Sequence, residues 1–230
     1  CLNRINHPNI NILTAEDPVE YELGGLHQVH VQPSIGLTFA SALRAFLRQD
    51  PDVVMVGEIR DKETADIAIQ ASLTGHLVLS TLHTNDAPST VSRLLNMGIE
   101  PFLVASSVNI IGAQRLVRKL CNDCKAPIEV TRQQLIDIGI PPEETDGVKP
   151  MRGQGCRTCN NTGYKGRIAV YEIMVANDEI KEFILNGAST LELKREAIRQ
   201  GMKTLRMSAL TKFREGMTSL EEVVRVTAPD

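Results

Sequence analysis

Four of the five cysteines fall as Cys121-x-x-Cys124 and Cys156-x-x-Cys159. Each C-x-x-C knuckle presents two thiolates, and two knuckles together supply the donor set of a tetrahedral zinc ion. The 31 residues between the pairs exceed the commonest zinc-ribbon spacing, a gap that a small subdomain bridges. No histidine follows His83, so the site would be closed and all-cysteine, which points to a structural metal. Its task would be to fold a segment too small and loop-rich to hold its own core. The alternatives for the same residues are disulfides, which an intracellular setting disfavours, or buried free thiols. Nothing is read from Cys1.

A second set of residues lies where apolar runs end. Glu16, Asp17 and Glu20 follow Ile10–Thr14, Glu58 follows Val53–Val56, and His83 follows Leu77–Leu82. In open α/β sheets ligands sit beyond the carboxyl ends of the strands, and these are the residue types that phosphate chemistry uses. A carboxylate directly after a buried run, such as Glu58, is costly unless it holds a metal, a water or an arginine. That placement is similar to a Walker B strand, whose acid coordinates Mg²⁺ or polarises the attacking water. The aspartate usual there is replaced by Gly57. Arg44 and Arg48 are four apart, which would set two guanidiniums on one helix face, able to pair with acids or reach a phosphate. His76 and His83 flank one strand. His27 and His30 lie in an alternating stretch and would point to opposite sheet faces, against a shared metal.

Residues 1–117 read as the alternating strands and helices needed to place these groups. Helical spacing runs from Phe39 to Gln49, with Leu43, Phe46 and Leu47 on one face, and again from Lys62 to Thr74, closed by Gly75. The strands, apolar on both faces, predict a mostly parallel α/β sheet flanked by helices. Residues 118–172 differ, with the cysteine pairs and a stretch from Gly139 to Gly155 rich in proline, glycine and acids. Residues 173–230 form a third region of amphipathic helices, in which Ser189-Thr190-Leu191-Glu192 and Thr218-Ser219-Leu220-Glu221 have capping-box spacing.

Composition bounds the function. A chain of 230 residues that is 42% hydrophobic can bury a sizeable core. No apolar run approaches the length that spans a bilayer, and no basic-then-apolar leader opens the chain, so the expectation is a soluble, cytoplasmic protein. The net charge is −3, with 7 basic and 12 acidic side chains before residue 118, and 18 basic and 16 acidic after it. An acidic first half needs metal ions or arginines from elsewhere to hold phosphate.

Three segments together resemble the ATPases of type II secretion and type IV pilus assembly. Thr14-Ala15-Glu16-Asp17-Pro18-Val19-Glu20-Tyr21 is similar to their aspartate box. Leu43–Asp52 running into Val56-Gly57-Glu58-Ile59-Arg60-Asp61 is similar to their Walker B region, and Thr74-Gly75-His76 through His83-Thr84-Asn85 to their histidine box. The cysteine segment resembles the metal-binding insert of the extension-type motors, which the retraction motors lack. Thr84-Asn85-Asp86 leans toward the pilus branch. The resemblance implies a RecA-like motor domain that acts as a homo-hexamer, hydrolyses ATP with Mg²⁺, and passes mechanical work to an inner-membrane platform protein. It implies that Glu16 and Glu58 position water and metal, with Asp17 and Glu20 nearby. It implies also that His83 reads the γ-phosphate with His76 supporting that end of the strand, and that Arg44 and Arg48 bridge subunits. One departure matters: no G-x-x-x-x-G-K-[ST] occurs in the 230 residues. Without the backbone N–H groups and lysine of such a loop, this polypeptide is expected to bind ATP poorly and turn it over negligibly. The family order puts the loop just upstream of Cys1.

Two other readings stand beside this one. The first is a zinc-stapled module that docks on a membrane platform without catalysis. The second is a RecA-like DNA motor, which the negative charge, the 3% aromatic content and the lack of a basic stripe count against.

Overall fold

The computed structural model describes residues 2–228; Cys1 lies outside them. In chain order the elements are α1 (Leu2–Ile5), β1 (Ile12–Glu16), β2 (His27–His30), α2 (Phe39–Phe46), β3 (Val53–Val56), α3 (Lys62–Leu73), β4 (Leu77–Ser80), α4 (Ala87–Asn96) and α5 (Pro101–Ser107). There follow β5 (Ile110–Leu120), β6 (Lys125–Pro127), α6 (Arg132–Asp137), β7 (Met151–Gly153), β8 (Tyr164–Val175), α7 (Asp178–Leu185), α8 (Thr190–Arg199), α9 (Leu205–Arg214) and α10 (Leu220–Val226). They form two compact units, one of residues 1–109 and 176–193, the other of 110–175 and 194–230. Positions 117 and 172, where the composition changes, fall inside β5 and β8.

The first unit is built on a four-stranded, all-parallel sheet in the order β2-β1-β3-β4. Ile12, Leu13, Thr14 and Ala15 of β1 and Val53, Val54 and Val56 of β3 are buried, as befits central strands covered on both faces. β4 departs from expectation. It stops at Ser80 and stands at the sheet edge, with Leu77 48% exposed. Apolar content alone does not separate a central strand from an edge one. α3 begins at an Asp61 cap, whose carboxylate accepts from the Thr64 N–H at 2.8 Å. It ends at Leu73 with Thr74 as its C-cap, after which Gly75 takes φ +103°, the left-handed turn a helix C-terminus favours. α2 stops earlier than its sequence spacing suggests: Leu47 is the C-cap, so Arg48 lies beyond the helix and does not share a helical face with Arg44.

The second unit centres on a long antiparallel ribbon, β5 with β8, running from Ile110↔Val175 to Leu120↔Tyr164. A small antiparallel β6–β7 pair forms a separate two-stranded sheet. Val117, Val170, Met174, Phe213 and Val223 form its core. Of the two expected capping boxes, the first forms: the Ser189 N–H donates to Glu192 Oε2 at 2.8 Å and the Glu192 N–H to Ser189 Oγ at 3.3 Å. The second is displaced by one residue. Ser219, not Thr218, caps α10 by accepting from the Glu222 N–H, while Thr218 Oγ1 donates to the Arg118 carbonyl at 2.8 Å. The frame is set by Glu222, which turns inward to meet arginines instead of reaching back to a cap.

Candidate active site and metal centre

Parallel register brings the carboxyl ends of β1, β3 and β4 side by side, pairing Ala15 with Val56 and Val56 with Ser80. The residues just beyond these pairs therefore gather at one edge of the sheet. The Gly57 N–H donates to the Ala15 carbonyl at 2.8 Å, and the Ile59 N–H to the Thr81 carbonyl at 3.0 Å, extending the ladder past the strands. Gly57 suits this spot by size: a Cβ there would lie 3.1 Å from the Ala15 carbonyl oxygen and 3.4 Å from the Phe39 ring. That close approach accounts for the glycine standing where a Walker B aspartate is usual.

Glu58 is half-buried, its side chain 15% exposed. Arg60 Nη2 donates to its Oε1, and its Oε2 lies 3.0 Å from His83 Nε2. The Arg60 hydrogen bond holds the Glu58 carboxyl below its ordinary range against partial burial, with His83 adding to the effect. The carboxyl of Glu16 is held differently. Its Oε1 accepts from Thr14 Oγ1 at 2.6 Å and from Gln28 Nε2 at 2.9 Å, leaving Oε2 without a partner among the described residues. Gln28 is itself anchored, because its Oε1 accepts the Leu23 N–H at 2.6 Å. Asp17 is exposed and close enough to raise the Arg60 pKa electrostatically, after the larger contribution of Glu58.

Other expected site residues lie apart from this group. His76 stands at the opposite, amino-terminal end of β4, its Nδ1 2.9 Å from the Ala71 carbonyl and 3.1 Å from Thr74 Oγ1. It braces the α3–β4 turn. Arg44 pairs with Glu63 of α3 at 2.6 Å, both side chains exposed. Arg48 and Glu20 are exposed and make no hydrogen bond to Glu58 or His83. Sequence reasoning passed over three residues that hold the acids: Arg60, Gln28 and Thr14. Thr14 lies two positions before Glu16 in the same strand, hence on the same side. Arg60 lies two positions after Glu58, both beyond the end of β3, so strand period gave a signal for Thr14 and none for Arg60.

The four cysteines come together in the second unit. Cys121 and Cys124 lie between β5 and β6, and Cys156 and Cys159 between β7 and β8, with all four sulfurs within 4.8 Å of one another. The Cys121–Cys156, Cys124–Cys159 and Cys156–Cys159 sulfur pairs are each 3.8 Å apart. Four bonds of about 2.3 Å at tetrahedral angles place sulfurs about 3.8 Å apart, whereas a disulfide requires about 2.0 Å. The donor set and its spacing fit a tetrahedral metal–thiolate centre. Burial alone would raise the Cys159 thiol, but the N–H groups of Cys156 and Gly163, each 3.2 Å from its sulfur, bring it down to about 6.

A parallel sheet flanked by helices, with acids and a histidine at its carboxyl edge, defines an α/β ATPase-type fold. The solved structure of the pilus retraction motor PilT with bound ADP matches it with a TM-score of 0.71 and 27% identity, covering 100% of this chain and 56% of that one. The chain belongs to the type II/IV secretion system protein family, whose sequence profile matches residues 1–225. It is 60% identical over 231 residues to the type IV pilus assembly ATPase PilB of Myxococcus xanthus, covering 100% of this chain and 41% of that protein. It is 50% identical over 230 residues to the type II secretion system protein E of Aeromonas hydrophila, covering 100% of this chain and 45% of that protein. The chain thus spans less than half the length of these relatives.

Proposed function

We propose that this chain is the motor segment of a hexameric ATPase whose hydrolysis of ATP drives assembly of a type IV pilus or a type II secretion pseudopilus. The observation that carries the reading is the 60% identity to a pilus assembly ATPase along the whole chain, with Glu16, Glu58 and His83 gathered at one sheet edge.

In this reading Glu16 uses its open oxygen to orient the attacking water, and Thr14 and Gln28 hold the carboxylate in place. Glu58, drawn down by Arg60, stays ionised beside His83, which meets the γ-phosphate. Carboxylate oxygens from Glu16, Asp17, Glu20 and Glu58 suit a hard divalent cation. When bound, Mg²⁺ neutralises phosphate charge. Arg44 and Arg48 face a neighbouring subunit, and His76 stiffens the turn that leads into β4. Zn²⁺ at the four cysteines is structural. No described helix is long and apolar enough to cross a membrane, and membrane attachment comes through an inner-membrane platform protein on the cytoplasmic side. Nucleic acid is not a partner.

The test begins with the reading frame upstream of the Cys1 codon, where a G-x-x-x-x-G-K-[ST] loop is expected within about a dozen codons. In the protein so extended, Glu58→Gln should lower Mg-dependent ATP turnover by about a hundredfold or more while leaving nucleotide bound. Turnover unchanged by that substitution would overturn the assignment. The 230-residue chain alone should turn ATP over negligibly.

A further inference from the structure

Arg118 and Arg167 are direct cross-strand partners on the exposed face of the β5–β8 ribbon. Like charges placed directly opposite one another destabilise a sheet. A third guanidinium, Arg225 of α10, joins them, and with Leu116 the three arginines line an open concavity of about 480 Å³. That volume suits a nucleotide-sized ligand.

Two of the three positive charges, Arg118 and Arg225, share one carboxylate. Glu222 is fully buried, and it is already saturated. Its Oε1 accepts from Arg118 Nε at 2.8 Å, Arg118 Nη2 at 2.6 Å and Arg225 Nε at 2.7 Å. Its Oε2 accepts from the Arg118 N–H at 2.9 Å and Arg225 Nη2 at 2.8 Å. Nothing remains for Arg167; among the described residues it has no carboxylate partner, and Nη1 of both Arg118 and Arg225 has no hydrogen-bond partner. The nearest other acid on α10, Glu221, faces Arg152 at 3.9 Å. The guanidinium of Arg118 is further fixed by the Tyr164 ring, 4.0 Å from its centroid, and Tyr164 is held by Ser219 at 2.7 Å. Two arginines are therefore pre-set with outward N–H groups, beside a third that is unneutralised.

We propose that this concavity is a binding site for a phosphoryl-bearing anion, with Arg118 and Arg225 as the fixed donors and Arg167 as the closing one. Arginine forks match the oxygen geometry of phosphate, and pre-organised donors lose less freedom on binding. The site is built wholly within the second unit and uses none of the residues assigned to ATP, so it stands or falls separately from the motor reading.

The test titrates inorganic pyrophosphate into the 230-residue chain by calorimetry without added Mg²⁺. Without a metal, the strand-end carboxylates repel the probe. Saturable binding at one site per chain is expected, weakened at least tenfold by Arg167→Ala and unchanged by Lys149→Ala, an exposed lysine elsewhere in the unit. The thermal midpoint of Arg167→Ala should equal or exceed that of the parent, since the substitution removes a like-charge contact; this separates lost binding from lost folding. Parallel sedimentation with phosphatidylglycerol and phosphatidylcholine vesicles identifies the source of the phosphate. Arg167-dependent binding to the anionic vesicles without pyrophosphate binding supports the site with a lipid headgroup as ligand. Binding of either probe that ignores Arg167→Ala, or no binding of either, overturns the proposal.

Discussion

Glu58 Oε2 and His83 Nε2 are 3.0 Å apart although 25 positions separate the residues in sequence. The contact joins a carboxylate that is 15% exposed to an imidazole that is 88% exposed. It exists because β3 and β4 run parallel with Val56 opposite Ser80, so the loops leaving the two strands emerge at the same edge. A half-buried acid is thus tied to a histidine that faces solvent at the sheet edge.

Arg60 is the main reason Glu58 stays ionised, ahead of His83. Arg60→Ala should therefore raise the Glu58 carboxyl toward, or past, its ordinary value, because partial burial would then act with less opposition. Carboxyl-carbon NMR titration reads this directly. A Glu58 titration that does not move would show that Arg60 is not its controlling partner.

The sulfur spacing leads to a metal prediction. The chain as isolated should carry one zinc per molecule by elemental analysis, and Cys156→Ser should reduce it well below one. Chelation should lower the thermal midpoint, because the metal's binding energy is folding energy here. Full stability after complete metal removal would contradict a structural role.

Gly153 and Gly163 approach so closely that a Cβ on Gly153 would fall 2.0 Å from the Gly163 carbonyl oxygen. That oxygen accepts the Cys121 N–H at 2.9 Å, and the Gly163 N–H donates to Cys159 Sγ at 3.2 Å. Gly153→Ala must push the second strand, and the displacement is delivered to two cysteines at once. A loss of about 3 kcal/mol is expected, along with zinc that dialyses away. Urea denaturation and zinc content measured on the same sample check both halves; parent-like values in each would refute the coupling.

Burial would raise the Glu222 carboxyl, but hydrogen bonds from Arg225 and Arg118 overcome it and hold it at about 2. A carboxyl depressed on folding stabilises above its unfolded value, about 4.3, and the contribution fades as pH falls toward 2. The depression corresponds to roughly 3 kcal/mol at neutral pH. Glu222→Gln should cost about that at pH 7 in urea denaturation, with the gap to the parent narrowing below pH 4. A gap that stays constant from pH 7 to pH 2 would rule out ionic stabilisation. Comparing variant with parent removes the acid sensitivity of the thiolate cluster, which both share.

Local chemistry was legible in the sequence wherever one short stretch carries the whole reason. The C-x-x-C pairs needed only their spacing; Gly75 marked the end of α3 because capping depends on a few neighbouring residues. The strand-end acids could be picked out because a charge after an apolar run is unusual anywhere. Legibility failed where a neighbour distant in sequence decides. Thr218 and Ser219 are equally good caps in isolation, and the choice falls to Ser219 because Arg118, about a hundred residues away, draws in Glu222. The compositional change near Arg118 lies within β5, since strand pairing depends on β8 and not on local composition.

Order along the chain was enough to predict the alternation of strands and helices and to single out the four cysteines and the strand-end acids, because period, capping and ligand spacing are properties of near neighbours. It took the folded chain to settle that His83 reaches Glu58 while His76 does not, that Arg60 and Gln28 hold the acids, and that Arg118 and Arg225 converge on Glu222 with Arg167 beside them. Those outcomes depend on sheet order and register, which bring together residues whose separation in sequence carries no sign of their contact.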